Sequence, residues 1–163
     1  LMHENDRAVR VLLVGDGKVR AELLQRAERL GIREACVLPG RVDPEEALQA
    51  QAALDVMVVP RVDAGVTRLV TPLKPVEAMA YGVPVVASDL PALRELLAEG
   101  RAGTLVLPGD ATSLADAVTR LRKDDALREE KVAAALEEVR TRRTWPRVVE
   151  AYQDLYGRLG ALD

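Results

Sequence analysis

Five short apolar, β-branched runs alternating with segments of helical spacing predict an α/β fold: a Rossmann-like parallel sheet flanked by helices. Two further observations support that class. Glycine and proline stand where the helices should stop, and after the last apolar run the pattern changes to helix alone. The strand-like runs cover 9–14, 36–38, 56–59, 85–87 and 104–107. Rich in Val and Leu and without strict polar alternation, they read as strands of a parallel sheet covered on both faces.

The segments between them justify the helices. In 19–30, Leu23, Leu24, Ala27 and Leu30 fall on one face, and Gly31 follows as the stop. Segments 45–52, 72–81 and 90–98 come next, with Gly82 and Pro84 ending the third and Asp89 placed to cap the fourth. Residues 111–163 are expected to be C-terminal helices, over 113–121, 127–140 and 147–159. Thr144-Trp145-Pro146 opens the last, which carries Val148, Val149, Tyr152, Leu155 and Leu159 on one side. Leu1-Met2-His3-Glu4-Asn5 reads as the last turn of a helix, so a βα unit is expected upstream in a longer parent. His3 in that polar stub reads as a solvated surface residue.

Composition narrows the function. With 163 residues, 48% of them apolar and 30% charged, the chain suits one globular domain and not a disordered segment. No apolar run reaches the roughly 20 residues of a membrane span. A net charge of −3 argues against a nucleic-acid partner. One His and one Cys exclude a His/Cys metal cluster, and Cys36 in its apolar run reads as a small buried hydrophobe.

The chemistry concentrates in Thr71-Pro72-Leu73-Lys74-Pro75-Val76-Glu77. Thr71 suits an N-cap and Pro72 a first helical position. Pro72 and Pro75 lack amide hydrogens, so the free donors of the first turn are chiefly those of Leu73 and Lys74. Free amides at a helix start favour an anion, and the Lys74 ammonium adds a charge. Glu77 lies one turn further along the face of Leu73, about 5.4 Å away. A diphosphate on the tip with a ribose diol on the carboxylate fits that spacing. Ordinary capping and an i, i+3 Lys74–Glu77 surface pair fit it as well.

The run Glu77 to Ser88, Glu-Ala-Met-Ala-x-Gly-x-Pro-Val-Val-Ala-Ser, resembles the signature of the retaining GT-B glycosyltransferase family 4. Other pieces fall in that family's order: Leu12-Leu13-Val14-Gly15-Asp16-Gly17, Leu38-Pro39-Gly40-Arg41-Val42, Asp55-Val56-Met57-Val58-Val59-Pro60, residues 103–109 and the helix 145–156. Single motifs here are weak, but six in register are specific. The resemblance implies that the chain, 1–163, is the C-terminal, donor-nucleotide-binding half of a GT-B fold lacking its first βα unit. The acceptor-binding domain, and the basic pair that holds the diphosphate, would lie in the missing part. The isolated piece is then expected to be inactive.

By the same resemblance, Glu77 matches the second glutamate of an E-x7-E motif, which binds the donor ribose. The first would fall at 69, where this chain has Leu69, and Pro72-Leu73-Lys74 places it in a Pro-Leu-Lys subgroup. Asp63 and Arg68 are candidates for the lost contact, although charges in a surface loop need no such role. Val42 and Asp43 match positions beside the nucleobase; strand-end packing and capping at Pro44 explain them too. Gly15 and Gly17 permit close backbone approach, as a plain strand-to-helix turn also would. The implied partner is a nucleotide-sugar donor, with no cofactor and no metal, in a cytoplasmic protein compatible with peripheral association at the inner face of a membrane. The rivals are a GT-B epimerase or hydrolase acting on a nucleotide sugar, and a Rossmann-like binding or signalling module. A receiver domain would need clustered acids where Asp16 stands alone, and Gly15-Asp16-Gly17-Lys18-Val19-Arg20 lacks the third glycine of a dinucleotide fingerprint.

Overall fold

The computed structural model describes residues 2–160 and divides between Ala53 and Leu54 into two compact units. The first contains α1 (Met2–Asn5), β1 (Val11–Val14), α2 (Arg20–Arg29), β2 (Cys36–Gly40) and α3 (Pro44–Ala52). A 3-10 turn, Arg33–Ala35, leads into β2. β1 and β2 run parallel, with Val11 opposite Cys36 and a register shift between Leu12 and Val14. Gly31, at φ +64°, ends α2 as predicted, and the Ile32 amide turns back to the Ala27 carbonyl at 3.0 Å. Among the described residues of this unit, only Ala27, Ala35 and Gly40 are buried, while Val11, Leu13 and Val37 stay exposed.

Two expectations are corrected here. His3 is half-buried, its ring nitrogen donating to the Val9 carbonyl at 3.1 Å, so it ties α1 to the approach to β1. Cys36 is half-buried at the first position of β2, because that end of the strand lacks a full cover.

The second unit carries β3 (Met57–Val59), α4 (Gly65–Leu69), α5 (Lys74–Ala80), β4 (Val85–Ser88), α6 (Pro91–Leu96) and β5 (Thr104–Val106). The helices α7 (Ala111–Lys123), α8 (Asp125–Glu138) and α9 (Trp145–Arg158) follow, with a π-helical turn, Val139–Arg143, between the last two. Its strands form one parallel sheet in the order β3-β4-β5. The five strands therefore fall in two sheets, one in each unit.

β4 lies in the middle of its sheet, and all four of its residues are buried. Met79 of α5, Leu93 and Leu96 of α6, and Leu97 close over it with no measurable exposure. Gly103 is required by this packing: a Cβ there would stand 2.9 Å from the Val85 carbonyl oxygen and from a Leu97 methyl. Gly82, at φ +73°, ends α5, and the Val83 amide bonds back to Ala78 at 3.0 Å. Asp89 does not cap α6. Leu90 occupies that position, and the Asp89 carboxylate pairs instead with Arg94, which lies within its reach one turn on.

Glu138, at the end of α8, is 1% exposed. Arg143 donates to it at 3.3 Å, and Arg101 and Arg142 each stand at 3.8 Å, so the buried charge is balanced from three sides. Beyond this anchor, α9 exposes Trp145, Val149, Tyr152, Leu155 and Tyr156, and Leu159 after it is exposed as well. No helix among the described residues is long and apolar enough to cross a membrane.

Candidate functional site

The predicted site residues fall into two groups, one in each unit. In the first, Gly15 follows β1 at φ +135°, a backbone that disfavours side chains, and its amide bonds the Gly40 carbonyl at 2.8 Å. The Gly17 amide bonds the Asp16 carboxylate at 2.8 Å, and the Gly17 carbonyl accepts from Arg20 at 3.1 Å, which opens α2. No heavy atom lies within 4 Å of where a Cβ would stand on either glycine. The turn alone accounts for these three bonds.

Val42 is half-buried at the exit of β2. Asp43 caps α3: its carboxylate accepts from the Glu46 amide at 2.8 Å, and the Glu46 carboxylate accepts from the Asp43 amide at 3.4 Å. This reciprocal capping box is the ordinary role the sequence allowed for Asp43.

The second group lies between β3 and α5. Thr71 is exposed but does not cap the helix, which begins at Lys74 with Leu73 as its N-cap and no side-chain cap. Pro75 supplies the reason. Had Thr71 been the cap, the ladder would need an amide hydrogen at 75, and proline has none. The ladder instead starts with the Glu77 amide, which donates to the Leu73 carbonyl at 3.1 Å.

α5 buries Pro75, Ala78 and Met79 against the sheet. The opposite side therefore carries Leu73 and Lys74, both exposed, and Glu77, half-buried one turn further in. Three of the predicted residues thus share one face, with a cation at its start and a carboxylate deeper. Such a face can hold an anion at one end and accept hydrogen bonds from hydroxyl groups at the other.

The connection before α5 holds features that spacing did not reveal. The segment 63–68 runs into α4, which covers Gly65–Leu69, and is not an open loop. Arg68 donates to both oxygens of Asp63, at 2.5 and 2.6 Å, so the two candidate charges answer each other. That hydrogen bond holds the Asp63 carboxyl below the usual carboxylate range and the Arg68 guanidinium above its own. Thr67 Oγ1 donates towards the Val62 carbonyl at 2.6 Å and accepts from the Ala64 amide at 3.0 Å. Arg61 reaches the Val70 carbonyl at 2.8 Å and joins the two ends of the segment. Leu69, in the place of a family glutamate, is 83% exposed.

The second unit has clefts at both ends of its sheet. A groove of about 710 Å³ opens beside the starts of β3 and β4, against Leu121, Val132 and Leu136. A smaller one, about 170 Å³, lies at the ends of β3, β4 and β5, between Pro60, Ser88, Val106 and Leu114. Neither is lined by Lys74 or Glu77.

Comparison with known proteins gives the family. The Glycosyl transferases group 1 family matches residues 1–124. A phosphatidyl-myo-inositol mannosyltransferase of Mycobacterium leprae is 39% identical over 148 residues, which are 91% of this chain and 37% of that protein. Among solved structures, TarM of S. aureus superposes with a TM-score of 0.81 at 20% identity, over 95% of this chain and 30% of that one. HepE of Anabaena in complex with UDP gives 0.70 at 26% identity, over 94% and 41%. The chain spans little more than a third of the length of the curated relative it matches. Motif order, fold and family match agree, and the chain belongs to the group 1 glycosyltransferases.

Proposed function

We propose that this chain is the donor-binding half of a retaining GT-B glycosyltransferase of the Pro-Leu-Lys subgroup, and that its longer parent moves a sugar from a nucleotide donor to a hydroxyl acceptor. The observation that carries the reading is the face of α5 on which Leu73, Lys74 and Glu77 stand together, opposite the side that packs into the core. Glu77 accepts hydrogen bonds from the donor ribose. Lys74, with the free amides at the helix start, stabilises charge that develops on the departing nucleoside diphosphate, the main electrostatic task of such a transfer. Thr71 lies beside the phosphates. In the first unit, Val42 and Asp43 match positions that lie beside the nucleobase in relatives, and Gly15 and Gly17 permit close backbone approach. The reading draws support from the HepE relative, solved with UDP, and from the mannosyltransferase named above.

The rest of the machinery belongs to the remainder of the longer protein, which supplies the acceptor-binding domain. The piece alone gives no useful turnover. In the parent, a peripheral association with the inner face of a membrane goes with an acceptor carried on lipid, as in the phosphatidyl-inositol acceptor of the mycobacterial relative's name.

Titration of the full-length protein with nucleoside diphosphates and their sugar conjugates tests the site. Charge-assisted hydrogen bonds are worth about 1.5–3 kcal/mol each, so Glu77→Ala should weaken donor binding about tenfold or more. Glu77→Gln should fall between the two. Lys74→Ala should weaken diphosphates more than nucleosides, whereas Glu77→Ala should weaken both. Unchanged donor affinity in a folded Glu77→Ala variant would remove the proposed site.

A further inference from the structure

The turn after β1 places Arg20 at the first position of α2, where its amide donates to the Gly17 carbonyl at 3.1 Å. Side chains of a first helical turn lean back towards the helix start, which here means towards the strand ends. The Arg20 guanidinium accordingly reaches β2, and its Nη2 donates to the Leu38 carbonyl at 3.1 Å, 18 positions further along the chain. Its Nε stands 4.0 Å from where a Cβ on Gly40 would lie. Gly40 is buried and turns the chain at φ +86°, and its carbonyl accepts from the Gly15 amide at 2.8 Å. The exits of β1 and β2 are therefore fastened twice, once by backbone and once by this side chain.

Packing alone does not call for an arginine here. Arg20 Nε is buried and has no hydrogen-bond partner among the described residues. A buried donor left unpaired is unfavourable, and an aliphatic side chain would cover Gly40 without one. What the guanidinium adds is a fixed backbone position at the end of β2. Further on, the Asp43 carboxylate is held by the Glu46 amide at 2.8 Å. Arg41 and the half-buried Val42 thus lie between two anchored points, the joint at 38–40 and the cap of α3.

We propose that Arg20 is a positioning residue for the nucleobase: it holds the exit of β2 so that Val42 and Asp43 meet the base in one geometry, and through them it sets which base is preferred. The proposal rests on the donor-site reading and deepens it by naming the residue behind base selectivity. Recognition needs its contacts held within about 0.5 Å, so loosening this support acts on the base first. The ribose and diphosphate, which the reading assigns to Glu77 and Lys74, keep their own contacts.

Isothermal titration of the full-length protein with UDP, GDP, ADP and ribose 5-diphosphate, which carries no base, tests this. The unmodified protein should prefer one nucleotide over the other two and over the base-free ligand. Arg20→Met keeps much of the length without a donor, and should shrink that preference about tenfold. Its affinity for ribose 5-diphosphate should not change, which also shows that the variant is folded. Arg20→Lys, with a donor left for the Leu38 carbonyl, should lie between the two, and it carries the comparison if Arg20→Met does not fold. Arg29→Met, at the exposed end of the same helix, should change neither quantity. Amide exchange at residues 40–42 should quicken in Arg20→Met while that of α3 holds. An unchanged preference in the Arg20 variants overturns the proposal and leaves the donor site standing. Equal weakening of all four ligands overturns it as well, by making Arg20 a support of the whole unit. If the unmodified protein binds ribose 5-diphosphate as tightly as every nucleotide, the nucleobase side of the donor-site reading fails, and this proposal fails with it.

Discussion

β4 and β1 are written in the same alphabet, yet the structure treats them differently. Val85-Val86-Ala87-Ser88 is buried throughout, paired on both sides and covered by α5 and α6. Val11-Leu12-Leu13-Val14 pairs with β2 alone and leaves Val11 and Leu13 exposed. Apolar content sets which segments can form strands; burial depends on what the rest of the fold places against them. The unit with a central strand has a full core, and the unit with a two-stranded sheet has little more than two alanines and a glycine at its centre.

The largest expected effect sharpens that contrast. Leu93→Ala, in the core over β4, should cost about 2–5 kcal/mol, as do other large-to-small changes at buried sites. Leu13→Ala on the open β1 should cost less than about 1 kcal/mol. Because the two units need not unfold together, amide hydrogen exchange read unit by unit is a better measurement than one melting temperature. Similar costs at the two positions would mean that the exposed face of β1 is covered in solution.

The next effect probes the same core from the opposite direction. Gly103→Ala adds one methyl group where a Cβ would meet the Val85 carbonyl oxygen and Leu97 at 2.9 Å. The carbonyl belongs to a strand paired on both sides and cannot retreat freely, so a cost of about 1–3 kcal/mol is expected. Gly17→Ala in the other unit meets no atom within 4 Å and should change stability little. Denaturant midpoints of the two variants, compared with the parent chain, check the difference.

The elements themselves were legible because a helical period of 3.6 and short apolar, β-branched runs survive in the chain: α2, α7, α8 and all five strands lie within a few residues of their predicted places. So was the family, because six short motifs stand in register over one chain. What sequence did not reveal depends on partners distant in sequence or on the geometry of a bond. Glu138 looks like one more charged residue on α8, and only the fold brings Arg101 to it from 37 positions earlier. The polar contacts within 61–70 form no standard spacing, since Arg61 and Val70 meet only once α4 has bent the segment back. The face of α5 that holds Lys74 and Glu77 was visible from spacing, whereas the depth of each residue was not.

Capping separates what a residue type permits from what a fold uses, and one pair of variants tests it across the two units. Asp43 and Thr71 both precede a proline and both suit an N-cap by chemistry. Asp43 is followed by a helix whose third position supplies Glu46, and the two residues exchange bonds at 2.8 and 3.4 Å. Thr71 is followed by a second proline at 75, which moves the start of the hydrogen-bond ladder to Leu73 and leaves the hydroxyl outside it. Asp43→Ala should therefore destabilise the first unit by about 1 kcal/mol, seen as faster exchange of the α3 amides. Thr71→Ala should leave the exchange of α5 unchanged. Its effect, if Thr71 touches the donor, should appear only as weaker nucleotide binding by the full-length protein. Slower folding or faster α5 exchange in Thr71→Ala would restore Thr71 as a cap and move the start of that helix back to Pro72.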